Sequence, residues 1–394
     1  MVSGEMDGMR AAPVGWRELN RSRPCRRGGR AYAGAMDRAK ASGFALVFLV
    51  PAQMPLAAWL GSRTGQPDLA AWYPLLFLFV ILPAADTLLG RDPTNVPRES
   101  EREVAMRPWF RGLTLLALPV HLGVLAWSAA RFVQAGMGAL GMLGWVLSQG
   151  VVGGILAINT AHELIHKSGR LEPAVGGLLL ASVGYHGFKV EHLRGHHVHV
   201  ATPQDASSAP LGQSLWDFLP RALWRNTRAA WTLEAARLHA RGLPWWSPRN
   251  ELLGWTACWL ALAAAFAAWL GPIGLAFFFV QGLCAAGALE VINYIEHYGL
   301  ERSMTADGRF ERTTHLHSWN SDYALSNLML FQLQRHSDHH AFPKRRYPVL
   351  RHHPDAPQLP GGYSAMFVLA LFPPAWRRVI DPRVRAFRER LAAG

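Results

Sequence analysis

Apolar residues in this chain fall into long uncharged blocks set between strongly basic stretches. Residues 42–62, 70–85, 112–130 and 132–161 carry no Asp, Glu, Lys or Arg, and 252–289 is uncharged for 38 residues. A helix crosses the hydrocarbon core of a bilayer with about 20 apolar residues. The fourth block, 30 residues long and glycine-rich, is long enough for its helix to extend beyond the bilayer. The last block is too long for one crossing, and the Gly271-Pro272 pair near its middle predicts a hairpin turn. The pattern predicts an all-α membrane protein with six transmembrane helices over 42–382. A shorter apolar stretch, 173–188, is too interrupted for a span and predicts a re-entrant or interfacial helix. Residues 1–41 show no apolar periodicity and read as a disordered basic tail rather than a signal peptide. Residues 383–394 read as a short C-terminal tail.

Charge orients the spans. The N-terminal tail, the 91–111 loop (Arg91, Arg98, Arg102, Arg107, Arg111), the 162–251 segment and the C-terminal segment are rich in arginine. The opposite connections hold little more than Arg63 and Arg131. By the positive-inside rule both termini and every large polar segment are expected to be cytoplasmic.

Composition agrees. Charged residues make up 17% of the chain, against about 25% for an average soluble domain, and Trp, of which there are 16, favours membrane interfaces. The net charge of +13 is broken up by apolar runs, which argues against nucleic acid and for lipid headgroups and an acidic partner. Only three Cys occur, with no CxxC pair, so any metal must be held by His or carboxylate.

Four clusters carry candidate chemistry: His162-Glu163-Leu164-Ile165-His166-Lys167, Glu191-His192-Leu193-Arg194-Gly195-His196-His197, Asn293-Tyr294-Ile295-Glu296-His297-Tyr298-Gly299-Leu300, and Leu333-Gln334-Arg335-His336-Ser337-Asp338-His339-His340. Residues three or four apart share a helix face, so each of the His pairs and the triplet can aim imidazoles at one point. Neutral imidazole suits iron, copper, nickel and zinc. Nine His are too many for one ion, so two metals are expected. A single HxxxH pair is more often structural than not; several such clusters on one membrane face are much harder to obtain by chance. His121, alone in a span, reads as core; His199, His239, His352 and His353 read as surface; His186, His315 and His317 stay undecided, His317 being a candidate to support the metal ligands.

These four boxes, with the flanking HVATP (199–203) and HSWNS (317–321), resemble the signatures of the integral-membrane alkane 1-monooxygenases over residues 42–382. The third box separates that family from the membrane fatty-acid desaturases. Ala206 departs from the pattern, standing where Pro is expected after an Asp. The resemblance implies two non-haem irons, O2 as co-substrate, alkanes hydroxylated to 1-alkanols, and electrons from rubredoxin and its reductase. It carries the ligand role over to His162, His166, His192, His196, His197, His297, His336, His339 and His340, on a cytoplasmic helical cap.

A terminal methyl C–H bond offers no polar handle, so a cofactor must carry its oxidation. Glu163, Glu191, Glu296 and Asp338, in or beside the boxes, are expected to support the ligating imidazoles, the alternative of a plain salt bridge weighing most for Asp338. Leu76, Leu78 and Phe79 are candidates to line a hydrophobic substrate channel. Lys189, Arg194, Lys344, Arg345 and Arg346 are candidates to dock rubredoxin. His162-Glu163-x-x-His166 also matches the zinc-protease pattern, but that reading leaves at least six clustered His unexplained. A metal transporter would need more intramembrane carboxylate or His than Asp86 and His121.

Overall fold

The computed structural model describes residues 38–393. The expected disordered tail lies outside the described residues except for 38–41, which open the first helix. Five helices are long and apolar enough to cross a membrane: α1 Arg38–Thr64, α2 Pro67–Leu89, α3 Pro108–Gln134, α4 Ala139–Ile165, and the 47-residue run Glu251–His297. Among the described residues, β-pairing is limited to isolated bridges.

The longest run is not straight. Gly271 has φ 67° and ψ −163°, a conformation open to glycine and strained for any residue with a Cβ. Pro272 then starts the second arm, where its missing N–H costs nothing. Trp259 and Phe279, 20 positions apart, would stand about 30 Å apart on a straight helix. Their ring centroids are 5.4 Å apart, and Phe266 stacks on Phe278 at 5.0 Å. The chain therefore doubles back into two arms, α8 (251–270) and α9 (272–297). Arm α9 packs tightly on α4: a Cβ built on Gly150 would lie 2.3 Å from Cys284 Cβ. Such small residues let membrane helices approach where no hydrophobic effect draws them together.

The polar ends of α4 and α9 meet a cap of shorter helices. The interrupted stretch at 173–188 forms α5, Leu171–Ser182, only 12 residues long, which buries Val175, Leu179 and Leu180 beside Leu164 and Ile165 of α4. Helix α6 follows as Phe188–Glu191, His192–His196 and His197–His199. Helix α7, Leu215–His239, is capped by Ser214, whose side chain accepts from the Asp217 N–H. Three short helices, α10 Ala324–Met329, α11 His336–Ala341 and α12 Tyr363–Ala370, precede α13, Pro373–Ala393. Residues 383–393, set apart above as a tail, continue α13. Trp376, Ile380, Val384 and Phe387 share one helical stripe and are buried against the cap core around Tyr294, Tyr298 and Trp319.

Candidate metal centre

Four elements deliver the imidazoles. His162 and His166 end α4, His297 ends α9, α6 brings His192, His196 and His197, and α11 brings His336, His339 and His340. They converge into two groups, His162/His166/His192/His197/His339 and His196/His297/His336/His340, each with its ligand atoms within 4.8 Å of one another. In the first, His192 Nε2 lies 3.1 Å from His166 Nε2 and 3.0 Å from His197 Nε2, which is 3.1 Å from His339 Nε2. In the second, His336 Nε2 lies 3.2 Å from His297 Nε2 and 2.9 Å from His340 Nε2, which is 3.2 Å from His196 Nε2. The rings of His197 and His340, 4.5 Å apart, join the groups.

Helix α6 departs from the expected α-helical spacing in a way that makes this possible. On an α-helix His197 would point about 140° away from His192. Residues 192–196 instead form a π-helical turn, whose i→i+5 bonding brings position 197 back over 192. His192 and His197 thus enter one group while His196 enters the other. A buried arginine fixes α11: Arg335, 2% exposed, donates to the carbonyls of Leu350, Asp92 and Thr94.

The donors suit cations. Seven of the nine imidazoles are no more than 6% exposed; His166 and His197 are half-buried at the rim. Burial, and then the charge on neighbouring imidazoles, holds His166, His192, His197, His336, His339 and His340 well below the ordinary imidazole range. They are neutral at pH 7, with lone pairs available. His162 Nε2 is buried without a hydrogen-bond partner. Nitrogens ligated about 2.1 Å from one ion stand about 3.0–3.4 Å apart, close to the separations here.

The supporting carboxylates differ from expectation. Glu296 Oε2 does lie 3.1 Å from His336 Nε2, and Tyr363 Oη donates to its other oxygen at 2.7 Å. Glu191 is buried at the same end and accepts from the His196 backbone N–H; burial pushes it up to about 8. Glu163, however, pairs with Lys167 at 2.8 Å and accepts from the Tyr347 N–H. Held in this way, it is not a free general base of the protease type. Asp338 is bound by Arg345 at 2.6 Å and by His353 Nε2 at 2.8 Å.

A further carboxylate, Asp205, outside the four boxes, grips a clustered imidazole through its Nδ1. Its Oδ2 lies 3.0 Å from His196 Nδ1 and accepts from Ser208 Oγ at 2.6 Å, while Oδ1 accepts from the Ser207 N–H at 3.0 Å. Burial works against both charges, but their attraction wins: His196 is raised to about 9 and Asp205 lowered to about 2. A bound cation would compete for the site of that proton. The available sequence signal was the Asp just past HVATP, nine residues from His196. A second missed element is the network of Glu290, Asn226, Asn293 and Tyr185, buried between α5, α7 and α9.

The remaining candidates lie as follows. Leu78 is buried at 1%, but Leu76 is 49% exposed on the outer face of α2, and half-buried Phe79 stacks on Phe367 at 4.8 Å. Four of the five docking cations are already engaged: Lys189 with Glu251, Arg194 with Glu234 and Glu251, Arg345 with Asp338, and Arg346 with Glu172. Lys344 is exposed. His317 supports the site through its main chain, whose carbonyl accepts from the His297 ring; its own ring faces Glu311 at 3.4 Å. His352 and His353 are not free surface groups, bonding Asp322 and Asp338 respectively. His186 bonds Thr256, and His121 is fully buried in α3.

Comparison with known proteins adds a family. Residues 138–370 match the fatty acid desaturase family model. The chain is 51% identical over 344 residues to alkane 1-monooxygenase 1 of Pseudomonas aeruginosa, covering 87% of this chain and 90% of that protein. It is 50% identical to alkane 1-monooxygenase 2 of Alcanivorax borkumensis, covering 85% and 88%. The hydroxylase component of xylene/toluene monooxygenase from Pseudomonas putida is 27% identical over 340 residues.

Proposed function

The chain belongs to the alkane 1-monooxygenase family within the fatty acid desaturase fold family, and from that premise we propose that it oxidises the terminal carbon of alkanes to 1-alkanols with O2 and electrons from reduced rubredoxin. The observation that carries the reading is the convergence of nine imidazoles into two adjacent groups at one end of an apolar bundle.

In this reading the centre holds two irons. His162, His166, His192, His197 and His339 hold one. His196, His297, His336 and His340 hold the other, with Glu296 beside it. Non-haem iron bound there supplies the O2 activation and C–H cleavage that no side chain can perform. The protein's own groups do the rest. Asp205 fixes the His196 tautomer by accepting from Nδ1, which leaves Nε2 to face the ion. Burial keeps the other imidazoles neutral. Arg335 and the Asp338–Arg345 pair lock the helix that supplies three ligands. Leu78, packed in the membrane core with Met329 and Val152, is the best placed of the channel candidates to meet an alkyl chain.

The arms α8 and α9 make six crossings with α1–α4. The arginine bias of the polar segments supports a cytoplasmic position for the histidines at the inner membrane, on the side from which reduced rubredoxin would reach them. With four of the five docking cations paired internally, Lys344 is left as the candidate contact for the acidic carrier. The test is metal analysis of the purified full chain together with chromatographic product analysis, given rubredoxin, its reductase, NADH and alkanes from octane to hexadecane. Iron and 1-alkanols are expected. A fully active preparation lacking iron, or one producing alkenes, would overturn the reading.

A further inference from the structure

A second group of donor atoms lies on the cap outside the nine-imidazole centre. The rings of His315 and His353 stack with centroids 4.4 Å apart and planes 13° apart. Asp355 places Oδ2 2.6 Å from His315 Nε2. The three residues each offer a ligand atom within 4.8 Å of the others. Both imidazoles are partly exposed and Asp355 is exposed, so an ion reaches them directly from water.

His353 is held in the manner of a metal-ligating imidazole. Its Nε2 lies 2.8 Å from Asp338 Oδ1. Asp338 is itself fully buried and fixed by two Arg345 contacts of 2.6 Å and by the Arg351 N–H at 3.0 Å. With Nε2–H given to that carboxylate, Nδ1 is left as the ligand atom; a carboxylate partner of this kind orients an imidazole and raises its basicity. The Arg390 guanidinium donates to the Asp355 main-chain carbonyl at 2.7 Å rather than to its carboxylate, which faces the His315 ring.

We propose that His315, His353 and Asp355 form a peripheral site for a zinc ion, separate from the buried centre. Two imidazoles and one carboxylate are a known zinc ligand set, with a water completing the tetrahedron. Calcium and magnesium favour sites built from oxygen. Such a site prefers zinc to ferrous iron in the usual order of affinities, so iron loading of the buried centre leaves it free. The widest ligand separation, up to 4.8 Å, exceeds the roughly 3.3 Å edge of a tetrahedral zinc site. Binding therefore draws the exposed Asp355 and the His315 ring toward His353, which Asp338 holds in place. The ion sits one hydrogen bond from Asp338, next in sequence to His339.

The test uses the iron-loaded full chain in lipid nanodiscs, carrying no histidine tag. It is titrated with zinc chloride, and zinc and iron per chain are measured after desalting. About one retained zinc per chain is expected with iron unchanged, and His315→Ala and Asp355→Asn should each lower zinc affinity by about tenfold or more with iron still unchanged. Asp355→Asn conserves volume at an exposed position, so its iron content reports intact folding. The proposal fails if no zinc is retained, if zinc enters only as iron leaves, or if Asp355→Asn binds zinc as tightly as the parent chain.

Discussion

Replacing Asp205 by Asn tests the support of the centre most directly, because the change keeps size and removes charge. The carboxylate accepts three hydrogen bonds, from the Ser207 N–H, Ser208 Oγ and His196 Nδ1. An amide has one acceptor oxygen and one donor NH2. The Ser208 hydroxyl can rotate, but the Ser207 N–H cannot. If the amide oxygen stays on Ser207, the NH2 faces His196 Nδ1. The ring must then switch tautomer, which protonates Nε2 and takes its lone pair from the ion. If the amide turns over, the Ser207 N–H is left buried without an acceptor, at about 1–3 kcal/mol. Loss of such a supporting carboxylate costs about 10–100-fold in metal affinity or activity, equivalent to about 1.4–2.8 kcal/mol. The assay is iron per chain after purification, with the rate of iron release to a chelator and alkane turnover measured in parallel. A variant that keeps its full iron, releases it at the parental rate and turns over normally would refute the role given to Asp205.

Further outcomes follow from other parts of the fold. His297→Ala is expected to lower iron by about one ion per chain and to abolish alkanol formation while helicity by circular dichroism is unchanged; full iron retention would remove His297 from the ligand set. Leu78→Ala opens space in the membrane core at about 2–5 kcal/mol and is expected to shift the accepted alkanes toward longer chains, and Leu78→Trp toward shorter ones; an unchanged product profile for both would place the channel elsewhere. Gly271→Ala forces a residue with a Cβ into φ 67°, ψ −163°, at about 1–3 kcal/mol, and should lower the thermal midpoint. Glu234 accepts from Arg194, Arg237 and the Glu251 N–H and is lowered from 4.5 to about 2. A lowered carboxylate stabilises fully above its unfolded value, so cap stability of about 2 kcal/mol, reduced from about 3 kcal/mol by solvent screening at the partly exposed Arg194 and Arg237, is present above pH 4.5 and lost as pH falls toward 2. Glu234→Gln should flatten that acid limb in a pH-dependent unfolding series.

Local chemistry made much of this protein legible in its sequence. Uncharged blocks of span length, a glycine-proline break and nine clustered imidazoles are local signals, because bilayer thickness and helix periodicity impose them residue by residue. The Gly271 hairpin and the clustering of the imidazoles could be anticipated for that reason. Pairings across the chain were not legible. The boxes do not say that His196 and His197, adjacent in sequence, enter different groups; a π-helical turn within α6 decides that. Nor do they say that Asp205, rather than Glu163, meets an imidazole. Lys189, Arg194, Arg345 and Arg346 resemble a free docking surface in sequence, yet each finds a carboxylate from another element. Leu76 and Leu78 differ only in the face of α2 they occupy. Sequence alone determined which imidazoles would be clustered and near which span ends. The tertiary structure decided which of them meet, because a hydrogen bond or a shared ion depends on distances of about 3 Å, and those exist only once separate segments have packed.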